Sequence, residues 1–421
     1  MMHYSHYIYR QALVWILATW VYGMCQSQDN AFDISCIDTT ANYITFNNAD
    51  WTPLFNQLTQ LEDTTDTIVD IISIAHIGDS HIQAGFFTEG LRIPLQQKWG
   101  NAGRGLITPL RISNTNEPTY YKISTPDDWT HYRCVLGKKF DSNVGISGIS
   151  ILPTSGEIDL TFETYNHHDC YAGFNSLRLF HSESENFPQL IPDTACEEIE
   201  IDNSRRGETR YSWKTTTNSI HLQGFNSYEL ECGAIYAASI ENGNSGIIVH
   251  AIGNNSATYE CYNRVNNYAS KLSALTPHLI IISMGTNESV SSTITSELLY
   301  SQIDQLVSSI RQEIPQALIL LTTPAENKIR RRRRKNNRRR TYYVDNKHIT
   351  DVVETIKQYG IDHNIAVWDW YTISGGKGSC ETWVKERGMT ADRIHYTANG
   401  YTLQGNLLYN SIHNAYEKHI R

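Results

Sequence analysis

Thr67 to Ser80 reads TIVDIISIAHIGDS. An apolar run of this length, rich in β-branched residues and closed by Gly-Asp-Ser, is the pattern of a buried strand ending in a tight turn. The segment after it, Gln83 to Trp99, spaces Phe87, Leu91 and Leu95 as one face of a helix does. Strand followed by helix then recurs downstream. Gly246 to Gly253 (GIIVHAIG) is an apolar strand with a helix expected over Tyr259 to Leu275. His278 to Met284 (HLIIISM) precedes a helix near Thr295 to Ile314, and Ala317 to Thr323 (ALILLTT) one near Asn346 to Tyr359. Ile365 to Trp370 supplies a fifth strand and Asn399 to His419 a closing helix. Alternating β and α units imply a parallel sheet covered on both faces.

Between the first strand and the rest lies a zone of different character. Short alternating runs recur at Glu157 to Tyr165, Ser176 to Phe180, Glu198 to Ile201, Thr209 to Lys214 and Ser219 to Gln223, separated by turn residues. This is the pattern of an all-β sandwich. It divides the chain into a polar N-terminal covering segment at 28–66, with an amphipathic stretch from Trp51 to Leu61, a first α/β part at 67–110, an inserted β-sandwich at 111–243 and a second α/β part at 244–421.

The N-terminus predicts export. Arg10 precedes an apolar run, Ala12 to Tyr22, that is too short for a bilayer, which needs about 20 residues. Small residues at Gly23 and Ser27 suit cleavage after Ser27, making 1–27 a signal peptide; lipidation at Cys25 is the competing reading. No other segment is apolar and long enough to span a membrane, so a periplasmic or extracellular location is expected. Seven further cysteines (Cys36, Cys134, Cys170, Cys196, Cys232, Cys261 and Cys380) form no CxxC pair, which disfavours a zinc knuckle. The 421 residues carry a net charge of −9, which argues against a generic nucleic-acid binder.

Sites in open parallel sheets lie outside the carboxyl ends of the strands. Those ends carry Gly78-Asp79-Ser80-His81, Gly253-Asn254-Asn255 and Gly285-Thr286-Asn287-Glu288, and Asp392-Arg393-Ile394-His395 precedes the last helix. A serine hydroxyl is a poor nucleophile until a base takes its proton. His395 can serve Ser80, and Asp392, three residues earlier, can fix the imidazole and stabilise its cation. The backbone N–H groups of Ser80 and Gly253 and the Asn287 amide can hold an oxyanion. Each residue also has a plainer use: Ser80 as a helix cap, Gly253 as a turn, Asn287 as a turn or cap, His395 as a surface residue. Asn255 competes with Gly253 for the place facing substrate. Asp79 is expected to support the turn. His76 and His81 flank it without the carboxylate and histidine set a metal needs, and no metal or organic cofactor is expected.

These four clusters, in this order, resemble the SGNH/GDSL hydrolases, whose fold is a flavodoxin-like three-layer α/β/α sandwich. The stretches HIGDSHIQAG, NAGRG, IGNNSA, SMGTNE and DRIHYTANGY, with an intervening β zone, are similar to exported peptidoglycan O-acetylesterases carrying a carbohydrate-binding-like β-sandwich. The resemblance implies a catalytic Ser80, Asp392 and His395, an oxyanion hole of Ser80, Gly253 and Asn287, and an acetylated glycan as substrate. Acetyl transfer to a sugar hydroxyl on the same triad, or glycan binding by an idle scaffold, are the other readings. In the β zone Tyr165, Tyr171, Phe174, Tyr211 and Trp213 serve either sugar stacking or the sandwich core. Arg330 to Arg340 (RRRRRKNNRRR) holds nine of the 35 basic residues and is expected as a loop at the sheet's active edge, either drawing in anionic glycan or merely solvated.

Overall fold

The computed structural model describes residues 32–62, 70–137, 144–165, 173–193, 198–335 and 338–421. The expected signal segment 1–27, Tyr171 and Cys25, Cys170 and Cys196 lie outside those residues. Six strands form the central sheet: β1 (Ile44–Thr45), β2 (Ile71–Gly78), β3 (Gly246–Gly253), β4 (Leu279–Ser283), β5 (Leu318–Thr322) and β6 (Ala366–Trp368). Their spatial order is β1-β6-β5-β4-β2-β3. Every neighbouring pair is parallel except the antiparallel edge pair β1–β6. β1 is a sixth strand beyond the five expected. β3 lies on one side of β2 and β4 on the other, so the strand order reverses at β2, where open α/β sheets form their crevice.

Residues 279–283 of β4 are buried throughout. A strand covered on both faces reads as a continuous apolar run because neither face meets water. The helix Ala398–His419 packs on the helix Phe86–Trp99, and Ser296–Glu313 packs on Ile349–Asp362. Leu299, Ile303, Leu306, Val307 and Ile310 bury one face of the latter pair against the sheet residues Ile280 and Ile282, each such side chain contributing about 1.5–3 kcal/mol. The amphipathic N-terminal stretch forms the helix Thr52–Glu62, with Leu54, Phe55 and Leu58 buried. Register aligns the sheet's active edge: Gly78 of β2 stands beside Gly253 of β3 and Ser283 of β4.

The helix expected over Tyr259 to Leu275 is two helices, Tyr259–Asn263 and Tyr268–Ser273. Asn267 between them adopts φ 52°, a left-handed conformation that Asn tolerates and a continuing helix does not.

Among the described residues the intervening zone is antiparallel, with one seven-stranded and one four-stranded sheet. Glu157–Thr164 buries every second residue from Ile158 to Thr164, the period-two signature of a sheet facing a core. Ile107, Leu160, Phe162, Leu179 and Leu222 share that core with Phe174, Tyr211 and Trp213. These last three rings are therefore packing residues, whereas Tyr165 is 42% exposed. Strand pairing reaches back to Gly105–Ile107, which joins Ile235–Glu241, ahead of the expected start at 111.

The arginine run corrects its expectation. Lys328–Lys335 and Arg338–Asp345 pair as a two-stranded antiparallel ribbon rather than a loop.

Candidate active site

Gly78 ends β2 where only a residue without a side chain fits. A Cβ there would overlap Ile82 Cγ1 and stand 2.7 Å from the Ser283 carbonyl oxygen. The chain turns, and Asp79 caps the short helix Ser80–Gln83 by accepting from the His81 N–H at 2.9 Å. Ser80 is thus the first helical residue, and Asp79 takes the cap that the plainer reading of Ser80 assigned to it. A first-turn N–H has no acceptor within its helix, so the Ser80 amide is available to a ligand. Gly253 ends β3 against this helix. A Cβ on Gly253 would collide with the Gln83 amide nitrogen and come within 2.7 Å of Gln83 Cα.

Ser80 and His395, 315 residues apart, meet: Ser80 Oγ lies 2.9 Å from His395 Nε2. His395 Nδ1 lies 2.7 Å from Asp392 Oδ2. The other oxygen, Asp392 Oδ1, accepts from Thr390 Oγ1 at 2.6 Å, Ile394 N at 2.9 Å and His395 N at 3.0 Å. Against the opposing effect of burial, these hydrogen bonds, led by that from His395, hold the Asp392 carboxyl far below the usual carboxylate range. The same bond to Asp392 raises the His395 pKa, and the negative charges of Asp392 and Asp79 add to it. This is the arrangement that activates a serine: an anion orients the base and the base faces the hydroxyl.

Asn287 stands on the third loop. Its Nδ2 donates to Asp79 Oδ2 at 3.1 Å and to the Ala257 carbonyl at 2.9 Å. Both amide hydrogens are engaged, so an oxyanion would share one of them as a three-centre bond. Burial pushes the Asp79 carboxyl up to about 7, so near neutrality part of the population holds it uncharged beside the amide.

The other candidates resolve as supports. His76 bridges Ser283 Oγ at 2.9 Å and Thr88 Oγ1 at 3.1 Å, and burial holds its pKa down at about 3. His81 lies 3.0 Å from the Tyr401 hydroxyl through Nδ1, its ring 5.5 Å from that of His395. Desolvation also keeps His81 at about 3; a neutral ring there does not oppose an imidazolium at His395. Among the described residues no group of three or more histidines, cysteines and carboxylates could hold a metal ion.

Asn255 is not turned to open space. Its Nδ2 donates to Thr115 Oγ1 at 3.1 Å and Asn116 Oδ1 at 2.6 Å. Gln83, 2% exposed, accepts from the Asn255 N–H at 2.7 Å and donates to the Asn116 carbonyl at 2.8 Å. This bridge binds residues 115–116 to the turn at Ser80. No sequence pattern announces it, because its partners are separated by 32 to 172 positions. Glu288 was legible only as part of a polar cluster. It accepts from Tyr259 N at 2.9 Å and Gly285 N at 3.0 Å, tying the Gly253 loop to the Asn287 loop, and burial lifts its pKa to about 7.

Residues 74–408 match the model of the GDSL-like lipase/acylhydrolase family. Among solved structures, a peptidoglycan O-acetylesterase is similar at 21% identity and TM-score 0.71, covering 89% of this chain and 99% of that one. A lipase/acylhydrolase from Enterococcus faecalis is 20% identical with TM-score 0.30, covering 40% of this chain and 77% of its own. No curated protein sequence matches the chain.

Proposed function

The chain belongs to the GDSL-like lipase/acylhydrolase family, and from that premise we propose that it is an exported serine esterase that removes O-acetyl groups from a polysaccharide, peptidoglycan being the first candidate. The observation that carries the reading is the relay Asp392–His395–Ser80 at 2.7 and 2.9 Å. The likeness in fold to a peptidoglycan O-acetylesterase over nearly the whole of that protein supports the choice of ester.

Ser80 Oγ attacks the acetyl carbonyl while His395 Nε2 takes its proton. The tetrahedral oxyanion is held by the N–H groups of Ser80 and Gly253 and by Asn287, each donor worth about 3–4 kcal/mol of barrier. His395 returns the proton to the departing sugar oxygen, leaving acetyl-Ser80. Water, deprotonated by His395, then releases acetate and restores the serine. The apolar run Ala12 to Tyr22 supports the export part of this reading.

Purified protein should release acetate from 4-nitrophenyl acetate and from O-acetylated peptidoglycan, and Ser80→Ala should abolish both. Undiminished release by that variant would overturn the mechanism. Chromatography of products with a glycan acceptor present separates free acetate from a newly acetylated sugar.

A further inference from the structure

The relay leaves the arginine ribbon unused, and its root is unusual. Asn327 and Asn346 flank its two strands and are buried. Asn346 Nδ2 donates to Asn327 Oδ1 at 2.9 Å and to Ser289 Oγ at 2.9 Å. Ser289 belongs to the helix Thr286–Val290 that carries Asn287. On the other side the Lys328 N–H donates to the Arg393 carbonyl at 3.1 Å. The Arg393 guanidinium lies 4.1 Å from the Tyr343 ring and grips Glu381 through two contacts of 2.9 and 3.2 Å. Lys328 Nζ reaches Glu381 at 3.3 Å and Asp345 at 3.1 Å. Arg393 sits between Asp392 and His395. The ribbon is therefore bolted to two of the loops that build the site.

Arg330, Arg331, Arg332, Arg333 and Arg340 are exposed, and no ion pair involves them among the described residues. The register sets Arg333 opposite Arg340, Arg334 opposite Arg339 and Lys335 opposite Arg338. Like charges directly opposite each other destabilise a ribbon, and an isolated two-stranded hairpin is marginal in water. A charge pattern so costly to the free protein, in a chain whose net charge is −9, fits a bound anion. The shape selects the kind of anion. A compact anion needs converging donors, whereas an eight-residue strand lays its cations along about 26 Å, with same-face neighbours about 7 Å apart.

We propose that the paired strands Lys328–Lys335 and Arg338–Asp345 are a docking arm for a linear acidic glycan, and that the arm feeds this polymer to Ser80 from a root shared with the Asn287 and Asp392–His395 loops. The inference rests on the esterase reading only in taking the polymer as substrate. Guanidinium forks recognise carboxylates and phosphates alike, so a carboxylate-bearing and a phosphate-bearing glycan share the chemistry. A linear chain is favoured over a membrane because the arm leads to the catalytic loops, where one polymer can occupy both.

The test uses full-length Ser80→Ala protein, which separates binding from turnover. Calorimetry with polygalacturonate and with its methyl ester, identical in backbone but uncharged, should show at least tenfold tighter binding of the acid form. Binding should weaken steeply between 0.1 M and 1 M salt, as the Debye length falls from about 10 Å to about 3 Å. Replacing Arg330, Arg331, Arg332 and Arg333 together by Ser should cost at least tenfold, and replacing them by Lys should retain most of the affinity. A thermal unfolding midpoint within a few degrees of the parent shows that the Ser variant is folded. Teichoic acid in place of polygalacturonate probes the phosphate source. Equal binding of the acid and its ester, undiminished binding by the Ser variant, or tighter binding to phosphatidylglycerol vesicles or duplex DNA than to either glycan would each overturn the proposal. Loss of acetate release with acid-glycan binding intact would instead strike the esterase reading alone.

Discussion

Ser80 leaves the sheet on a turn in which Gly78 and Asp79 are buried, whereas Asp392 and His395 stand on a loop with side chains 45% and 40% exposed. The turn is held by shape: Ile82, Gln83 and the Ser283 carbonyl leave no room for a side chain at Gly78 or Gly253. The loop is held by hydrogen bonds and charge, with Asp392 accepting four donors and Arg393 pinned by Glu381 and Tyr343. Packing is indifferent to pH and salt, but charge is not. Substitution at Gly78 should therefore register as lost stability, and substitution at Asp392 as altered pH dependence.

Asp392→Asn should have the largest effect. It leaves the side chain's shape but favours the wrong imidazole tautomer, and a loss of about ten-thousand-fold in kcat is expected. The sign of the pH effect follows from the His395 shift. Only neutral imidazole accepts the Ser80 proton, and the bond to Asp392 raises its pKa above 6.5. The acid limb of kcat/KM should then lie above pH 6.5 in the parent and move to lower pH in the variant. A limb that stays in place would mean that Asp392 does not govern the base.

Asn287→Ala tests where the two regions meet, since this amide reaches Asp79 of the turn from a separate loop. A loss of about 100–1,000-fold in kcat with little change in KM is expected if it holds the oxyanion. A purely structural Asn287 would instead lower the unfolding midpoint and spare kcat.

Gly78→Ala should act on the turn through shape. The added methyl meets Ile82 and the Ser283 carbonyl, and overpacking of this kind costs about 1–3 kcal/mol. Urea unfolding should show the loss as a lower midpoint at unchanged slope. Unaltered stability would mean that Ile82 yields and that the turn is less rigid than its packing implies.

The same contrast explains what the sequence disclosed. The buried strand Gly246–Gly253 was legible because it is short for a helix, bounded by glycines and rich in β-branched residues. The pairing of Ser80 with His395 was legible because both lie at loops that a parallel sheet gathers on one edge. The bridge from Gln83 to Asn116 and Asn255 was not, since neutral polar side chains carry no periodic signal. The two-residue strand Ile44–Thr45 is too short to show a period. The ribbon read as a loop because a run of one residue type erases the alternation by which strands are recognised.

Glu381→Gln should have the smallest effect and sharpens the comparison most. Glu381 joins Arg393 of the Asp392–His395 loop to Lys328 of the ribbon, and these bonds, led by that from Arg393, hold its pKa below the usual range. Its side chain is 49% exposed, so solvent and salt screen the pair, and a contribution within about 1 kcal/mol is expected. Glutamine keeps the shape and one acceptor but removes the charge. If charge holds the loop, kcat on a small acetate ester should fall by less than about fivefold in low salt, and high salt should erase the difference between variant and parent. The acid limb should not move, because Asp392 and His395 are untouched. A deficit that persists in high salt would assign Glu381 a steric role, and the loop would then be held by shape, as the turn is.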